Sequence, residues 1–140
     1  MIASSYLFLI KNEKILLSRR FQTGYQDGKF SLPAGHVEDQ ESVTAALCRE
    51  VTEEIGLKIL PKDAQLVHVM HRREDDIRMD FFFTAKRWRG ALNNCEPKKC
   101  DLLKWFPLNR LPSTTIPYIR HAIKSYRKHI FFSEFGWQSA

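Results

Sequence analysis

The chain has 140 residues, enough for one domain with a core of its own and too few to expect a second. Its 44% apolar and 27% charged residues argue against wholesale disorder, and no apolar run approaches the twenty or so residues that a membrane-spanning helix needs. The opening MIASSYLFLIKNEK lacks the basic head and long apolar stretch of a secretory signal, so a cytoplasmic address is expected. The charge of +6 suits a polyanionic partner, and three cysteines (Cys48, Cys95, Cys100) without a Cys-x-x-Cys pair speak against structural zinc or a disulfide framework.

In chain order, SYLFLI and KILLSRR are two short strand candidates separated by KNEK, a hairpin-like opening. The turn-rich FQTGYQDGK follows, then a short apolar piece, FSLPAG, that Pro33 and Gly35 end in a turn. From Ser42, read as an N-cap, to Ile55 the pattern is helical, and Gly56 is the stop. AQLVHVMHRR and IRMDFFFTAKRW read as strands, GALNNCEPKKCD as a polar loop and LLKWFPL as another strand. The turn LPSTTIP leads into a last helix, YIRHAIKSYRKHI. There Ile119, Ala122, Ile123, Tyr126 and Ile130 share one face and Arg120, Lys124, Arg127 and Lys128 the other. A solvated basic face accounts for that charge better than a nucleic-acid reader does. With no internal repeat and no linker, the pattern gives a single α+β domain over residues 1–140, a mixed sheet between helices.

The helix carries a conflict. Glu50, Glu53 and Glu54 gather in CREVTEEIGL just before Gly56, at the carbonyl end that disfavours negative charge. At about 100° per residue, Glu50 and Glu54 fall within the arc of Val43, Ala46, Leu47, Val51 and Ile55, with Glu53 at its edge. Carboxylates on a buried face lose hydration and repel one another at spacings of three and four. A divalent cation with a taste for hard oxygen ligands, Mg²⁺ or Mn²⁺, offsets both costs. An acidic helix end turned to solvent, with Arg49 paired to Glu53, is the plainer alternative.

Reading back from the glutamates, GHVEDQESVTAALCREVTEEIGL (35–57) runs Gly, five residues, Glu41, seven residues, then Arg-Glu-apolar-any-Glu-Glu-any-Gly-apolar. This matches the whole Nudix box at every fixed position, in the loop-then-helix context that the motif needs. The chain therefore resembles a Nudix hydrolase, a short, single-domain MutT-like one, and the resemblance covers nearly all of it. It implies the α/β/α sandwich of that family and Mg²⁺-dependent cleavage (Mn²⁺ as the substitute) of a nucleoside triphosphate or other nucleoside diphosphate linked to X. The products would be a nucleoside monophosphate plus pyrophosphate or P-X, as in nucleotide-pool sanitising.

Carried over by residue, the resemblance makes Glu53 and Glu54 metal ligands and Glu50 a ligand or the base that deprotonates water. Arg49 orients the glutamates, Glu41 stands in the outer metal shell, the Ala34 carbonyl points into the metal site and Gly35 permits a tight turn. Glu96 of the polar loop joins the metals as ligand or base, with Asp101 as the competing acid. Arg19 or Arg20 grips phosphate, and strand alternation allows only one of them to do so. Thr115, in the turn before the last helix, stands where relatives that remove oxidised guanine nucleotides place an amide. A hydroxyl reads a purine less decisively there, leaving a pyrimidine or a broad nucleotide range open. Asp80 is read as an outward polar position rather than a base reader, and His36, His68 and His71 as structural or exposed. Trp105 is read as core, and Trp137 could stack on a base. The expected partner is a small nucleotide, with no membrane and no nucleic acid, and a homodimer is compatible with the family. The competing readings are a nucleotide-binding sensor without turnover and a basic RNA-binding, decapping-type protein.

Overall fold

The computed structural model describes residues 1–138. Its elements are β1 (Ile2–Phe8), β2 (Ile10–Lys11), β3 (Lys14–Arg20), β4 (Phe30–Ser31), β5 (Ala34–His36), α1 (Val43–Ile55), β6 (Ala64–Arg73), β7 (Ile77–Ala85), β8 (Cys100–Pro107), α2 (Pro117–Arg127) and β9 (Phe132–Phe135), with a 3₁₀ turn at Pro61–Asp63. A mixed five-stranded sheet runs β5-β1-β7-β6-β9, in which β1 lies parallel to β7 and β9 parallel to β6. The second sheet is antiparallel and built on β3. β2 and β4 pair with successive parts of β3, and β8 pairs along its whole length.

Period-two alternation divides the apolar side chains between two cores. Tyr6, Phe8, Ile15, Leu17 and Phe82 pack on one side with Ile119, Ala122 and Ile123 of α2. Leu7, Leu9, Leu16 and Phe83 pack on the other with Leu47, Val51 and Ile55 of α1. The sheets are thus held between two helices, the α+β sandwich with a mixed sheet that was expected. The helix α1 begins as read, with the Ser42 hydroxyl accepting from the Ala45 N–H at 3.0 Å. It ends on Gly56, whose φ of 74° is the left-handed conformation that favours glycine, with its N–H donating to the Thr52 carbonyl.

Three elements differ from the sequence reading, one of them β5, which carries Gly35 in a strand where a turn was expected. The opening hairpin joins β2 to β3 through Asn12 and Glu13, both at positive φ, whereas β1 pairs with β5 and β7. The final helix stops at Arg127, and His129 at φ 60° reverses the chain into β9. Ile130 therefore lies beyond the helix and is exposed rather than on its apolar face. The His68 ring ties the new strand down, one nitrogen on the Ile130 carbonyl and the other on the Ser133 hydroxyl, both at 2.8 Å. The three cysteines are free. Among the described residues, no helix is long and apolar enough to cross a membrane.

Candidate active site

The last two turns of α1 face β5, and Arg49 is the hub between them. Its guanidinium grips Glu41 with two parallel bonds, Nε to Oε2 at 2.7 Å and Nη2 to Oε1 at 2.9 Å. Its Nη1 donates to Glu50 Oε1 at 2.7 Å and Glu53 Oε2 at 3.3 Å, and Nη2 reaches the His36 carbonyl at 3.1 Å. This arginine bond holds the Glu41 carboxyl down at about 2. Glu41 thus has both oxygens committed to Arg49.

Exposure grades the three helix acids as the helical wheel did. The Glu50 side chain is 16% exposed and that of Glu53 55%, while Glu54 is half-buried and accepts from the Ala34 N–H at 3.2 Å. Burial pushes the Glu54 carboxyl well above the usual carboxylate range, and the charges of Glu50 and Glu96 push it the same way. Gly35 lies opposite Ser5 in the β1–β5 ladder and has no left-handed φ, so it is not there to make a turn. It is there for space: a Cβ at this position would stand 2.0 Å from the Glu50 carboxyl carbon.

Ala34, Gly35, Glu50, Glu53 and Glu54 form one end of a cavity of about 780 Å³, within the roughly 300–1,000 Å³ usual for small-molecule clefts. Among the described residues, no three acidic, imidazole or thiol groups are already converged on one metal position. The donor set nevertheless suits a divalent cation. Glu50 and Glu54 repel each other under burial, both carry hard oxygens, and the backbone beside them is cleared of side chain at Gly35. Glu96 lines the same end, where Lys99 approaches it at 3.8 Å.

The opposite end was not visible in the sequence. Asp80, expected to face outward, is fully buried and bonded to buried Arg72, Nε to Oδ2 at 2.6 Å. Arg72 lies 3.7 Å from the centre of the Tyr118 ring and donates to Glu74 at 2.7 Å, while Tyr6 donates to Asp80 Oδ1 at 3.0 Å. Asp80, Tyr6 and Tyr118 are drawn together from β7, β1 and α2. Only the polar letters inside apolar strands, Arg72 and Asp80, hinted at it.

The remaining expected residues divide. Arg19 and Arg20 both line the cavity, against strict alternation, because the β3–β8 register shifts between them and a bulge re-aims the strand. Arg19 is held by Asp101 at 2.8 and 3.2 Å, so Asp101 is tied up away from the cavity. Arg20 donates to the Tyr25 carbonyl and the Thr23 hydroxyl. Thr115 does not reach the cavity: it is buried, and its hydroxyl is spent on the Pro112 carbonyl at 2.7 Å. Trp105 packs against the α1-side core, and Trp137 donates to the His71 carbonyl, outside the cavity. His68 is buried and His71 half-buried, while His36 is exposed at the cavity rim beside Arg78.

Comparison with known proteins agrees with this picture. The model of the NUDIX domain matches residues 2–126. The chain is 31% identical over 126 residues to an 8-oxo-dGTP diphosphatase of Buchnera aphidicola subsp. Schizaphis graminum, covering 89% of this chain and 92% of that one. It is 33% identical over 121 residues to an ADP-ribose pyrophosphatase of Methanocaldococcus jannaschii, covering 84% and 68% respectively. The crystal structure of a MutT NUDIX hydrolase from Burkholderia pseudomallei superposes with a TM-score of 0.81 at 26% identity, over 88% of this chain and 95% of that one.

Proposed function

The chain belongs to the NUDIX family, and from that premise we propose that it is a hydrolase of nucleotide phosphoanhydride bonds. Its substrate is a nucleoside triphosphate or a related nucleoside diphosphate linked to X. Water attacks phosphorus, a P–O bond breaks, and a nucleoside monophosphate leaves with pyrophosphate or P-X. The observation that carries this reading is the Arg49-centred set of carboxylates at one end of a nucleotide-sized cavity. Glu53, Glu54 and the Ala34 carbonyl would hold a divalent cation, Mg²⁺ in the cell, with Glu96 closing the set and Glu50 serving as ligand or base. The bound cation supplies charge neutralisation at the phosphate oxygens and activation of water.

The protein's own groups do the positioning. Arg49 fixes Glu50 through Oε1, which leaves the second oxygen to take the proton from the attacking water. Glu41, gripped at both oxygens, keeps the Arg49 fork from swinging away. Arg19 faces the phosphates and gives up Asp101 to do so, while Arg20 stays bonded to the Tyr25 carbonyl and the Thr23 hydroxyl of the β3–β4 loop. The 8-oxo-dGTP and ADP-ribose named for two relatives set the two ends of the substrate range to be tested. A cytoplasmic location and action as one domain over residues 1–140 belong to the same reading.

The test is a panel of nucleoside triphosphates, oxidised nucleotides, dinucleoside polyphosphates, ADP-ribose and capped RNA with Mg²⁺ or Mn²⁺, the products identified by ³¹P NMR. Release of a nucleoside monophosphate is expected, with Glu53→Gln losing most activity while keeping its melting temperature. Silence across the whole panel would leave a nucleotide sensor, and a fully active Glu53→Gln would remove Glu53 from the metal set.

A further inference from the structure

The end of the cavity far from the carboxylates has one feature that the phosphate chemistry does not use. The loop between β3 and β4 carries Tyr25 across to Glu74 in the β6–β7 turn, and its hydroxyl lies 2.9 and 2.8 Å from the two carboxylate oxygens. That contact spans from one sheet to the other, and both residues line the cavity. The loop is shaped to hold the ring there. Asp27 accepts from the Thr23 N–H at 3.0 Å, the Gly24 N–H at 2.9 Å and the Thr23 hydroxyl at 2.6 Å. From beneath, Arg20 donates to the Tyr25 carbonyl at 2.7 Å.

A large side chain left 37% exposed, yet fastened at its backbone and its tip, is not there for core packing. Beyond Glu74 the Arg72 guanidinium lies on the Tyr118 ring at 3.7 Å, but both are buried, which leaves Tyr25 as the exposed ring at this end. Aromatic rings and guanidinium planes are the surfaces on which nucleobases stack, and every base has a face to offer. We propose that Tyr25 is the residue on which the substrate's nucleobase stacks, and that Glu74 is a positioning residue that holds the Tyr25 ring over the cavity. This rests on the nucleotide reading given above. It places the base at the tyrosine end when the phosphates lie at the carboxylate end.

The test is calorimetric binding of AMP, GMP, CMP, UMP and ribose 5-phosphate to the full chain, without metal and without turnover. At least one nucleotide should bind about 10-fold or more tighter than ribose 5-phosphate, which lacks a base. Tyr25→Ala should bring that nucleotide to the level of ribose 5-phosphate and leave ribose 5-phosphate itself unchanged. Tyr25→Leu repeats the test with the loop's bulk retained, and thermal melts confirm that both variants fold. Tyr25→Phe and Glu74→Ala should each cost about 3-fold, and the double variant no more than either, because both remove the same bond. Three results overturn the proposal: no base-dependent binding in the parent, an equal loss for ribose 5-phosphate in Tyr25→Ala, or unchanged nucleotide binding in that variant. Additive losses in the double variant remove Glu74 from its role. A chain that binds bases through Tyr25 but cleaves nothing keeps this inference and loses the hydrolase reading. One that cleaves nucleotides without regard to Tyr25 does the reverse.

Discussion

Adding one methyl group at Gly35 separates chemistry from folding. Its backbone is in a region open to any residue, so Gly35→Ala brings no φ strain. The new Cβ would meet the Glu50 Cδ at 2.0 Å, Oε1 at 2.2 Å and Cγ at 2.4 Å. To regain ordinary contact at 3.4 Å, the carboxyl must withdraw by about 1.4 Å, and it can do so only by leaving its rotamer. The stability cost is that of one off-rotamer side chain, about 1 kcal/mol. The catalytic cost is larger, because a displacement of about 1 Å at a reacting group lowers the rate roughly 10²-fold. Steady-state kinetics on the best panel substrate should therefore show kcat down about 100-fold with a melting temperature within a few degrees of the parent. Adding Gly35→Ala to Glu50→Gln should cost nothing further, since both act on one carboxylate. A kcat within threefold of the parent would refute the reasoning, as would full additivity in the double variant.

Three further outcomes follow from the same contacts. Glu54→Gln should melt at or above the parent's temperature without metal, because a buried acid crowded by Glu50 becomes a neutral amide. It should also lose the Mg²⁺-induced stabilisation, about 2.7 kcal/mol in the parent at 100 times the dissociation constant, and a retained thermal shift would count against Glu54 as a ligand. Asp80→Asn should cost about 3 kcal/mol in urea unfolding by leaving buried Arg72 without its main counter-charge, a loss under 1 kcal/mol being the contrary result. Glu41 is depressed in the fold from 4.5 to about 2, so its stabilising bond is complete above the unfolded value near 4.5 and fades as pH falls toward 2. Glu41→Gln should flatten the loss of melting temperature across that window, and an unchanged slope would show that the acid sensitivity lies elsewhere.

What the sequence disclosed was what is local. The N-cap at Ser42, the stop at Gly56 and the burial order of Glu50, Glu53 and Glu54 depend on residues within a few turns of one another, so helical geometry alone delivers them. Thr115 was misplaced because its hydroxyl turns back on Pro112 three residues away, a turn bond that competes with any ligand. Arg19 and Arg20 escaped the alternation rule through a bulge, which is a property of the β3–β8 pairing and not of either strand alone. The Tyr6, Arg72, Asp80 and Tyr118 cluster was hidden for the same reason. Tyr6 and Asp80 are 74 residues apart and meet only because β1 runs parallel to β7.

The two ends of the cavity handle buried charge in opposite ways, and the contrast fits the roles proposed for them. At the tyrosine end the Arg72 cation is matched by Asp80 and Glu74 and laid on an aromatic face, so nothing there calls for an ion. Such a network is rigid, since removing Asp80 or Arg72 leaves the other as a buried charge without its main partner. At the helix end one arginine serves Glu41, Glu50 and Glu53, while Glu54 has only a backbone N–H among its neighbours to set against the charges of Glu50 and Glu96. That deficit of positive charge, under partial burial and at the wrong end of a helix dipole, costs the isolated protein stability. A bound divalent cation would offset it. A wall satisfied in itself and a pole left short of positive charge are what an enzyme needs if it is to hold a base still while it takes up metal and polyphosphate beside it.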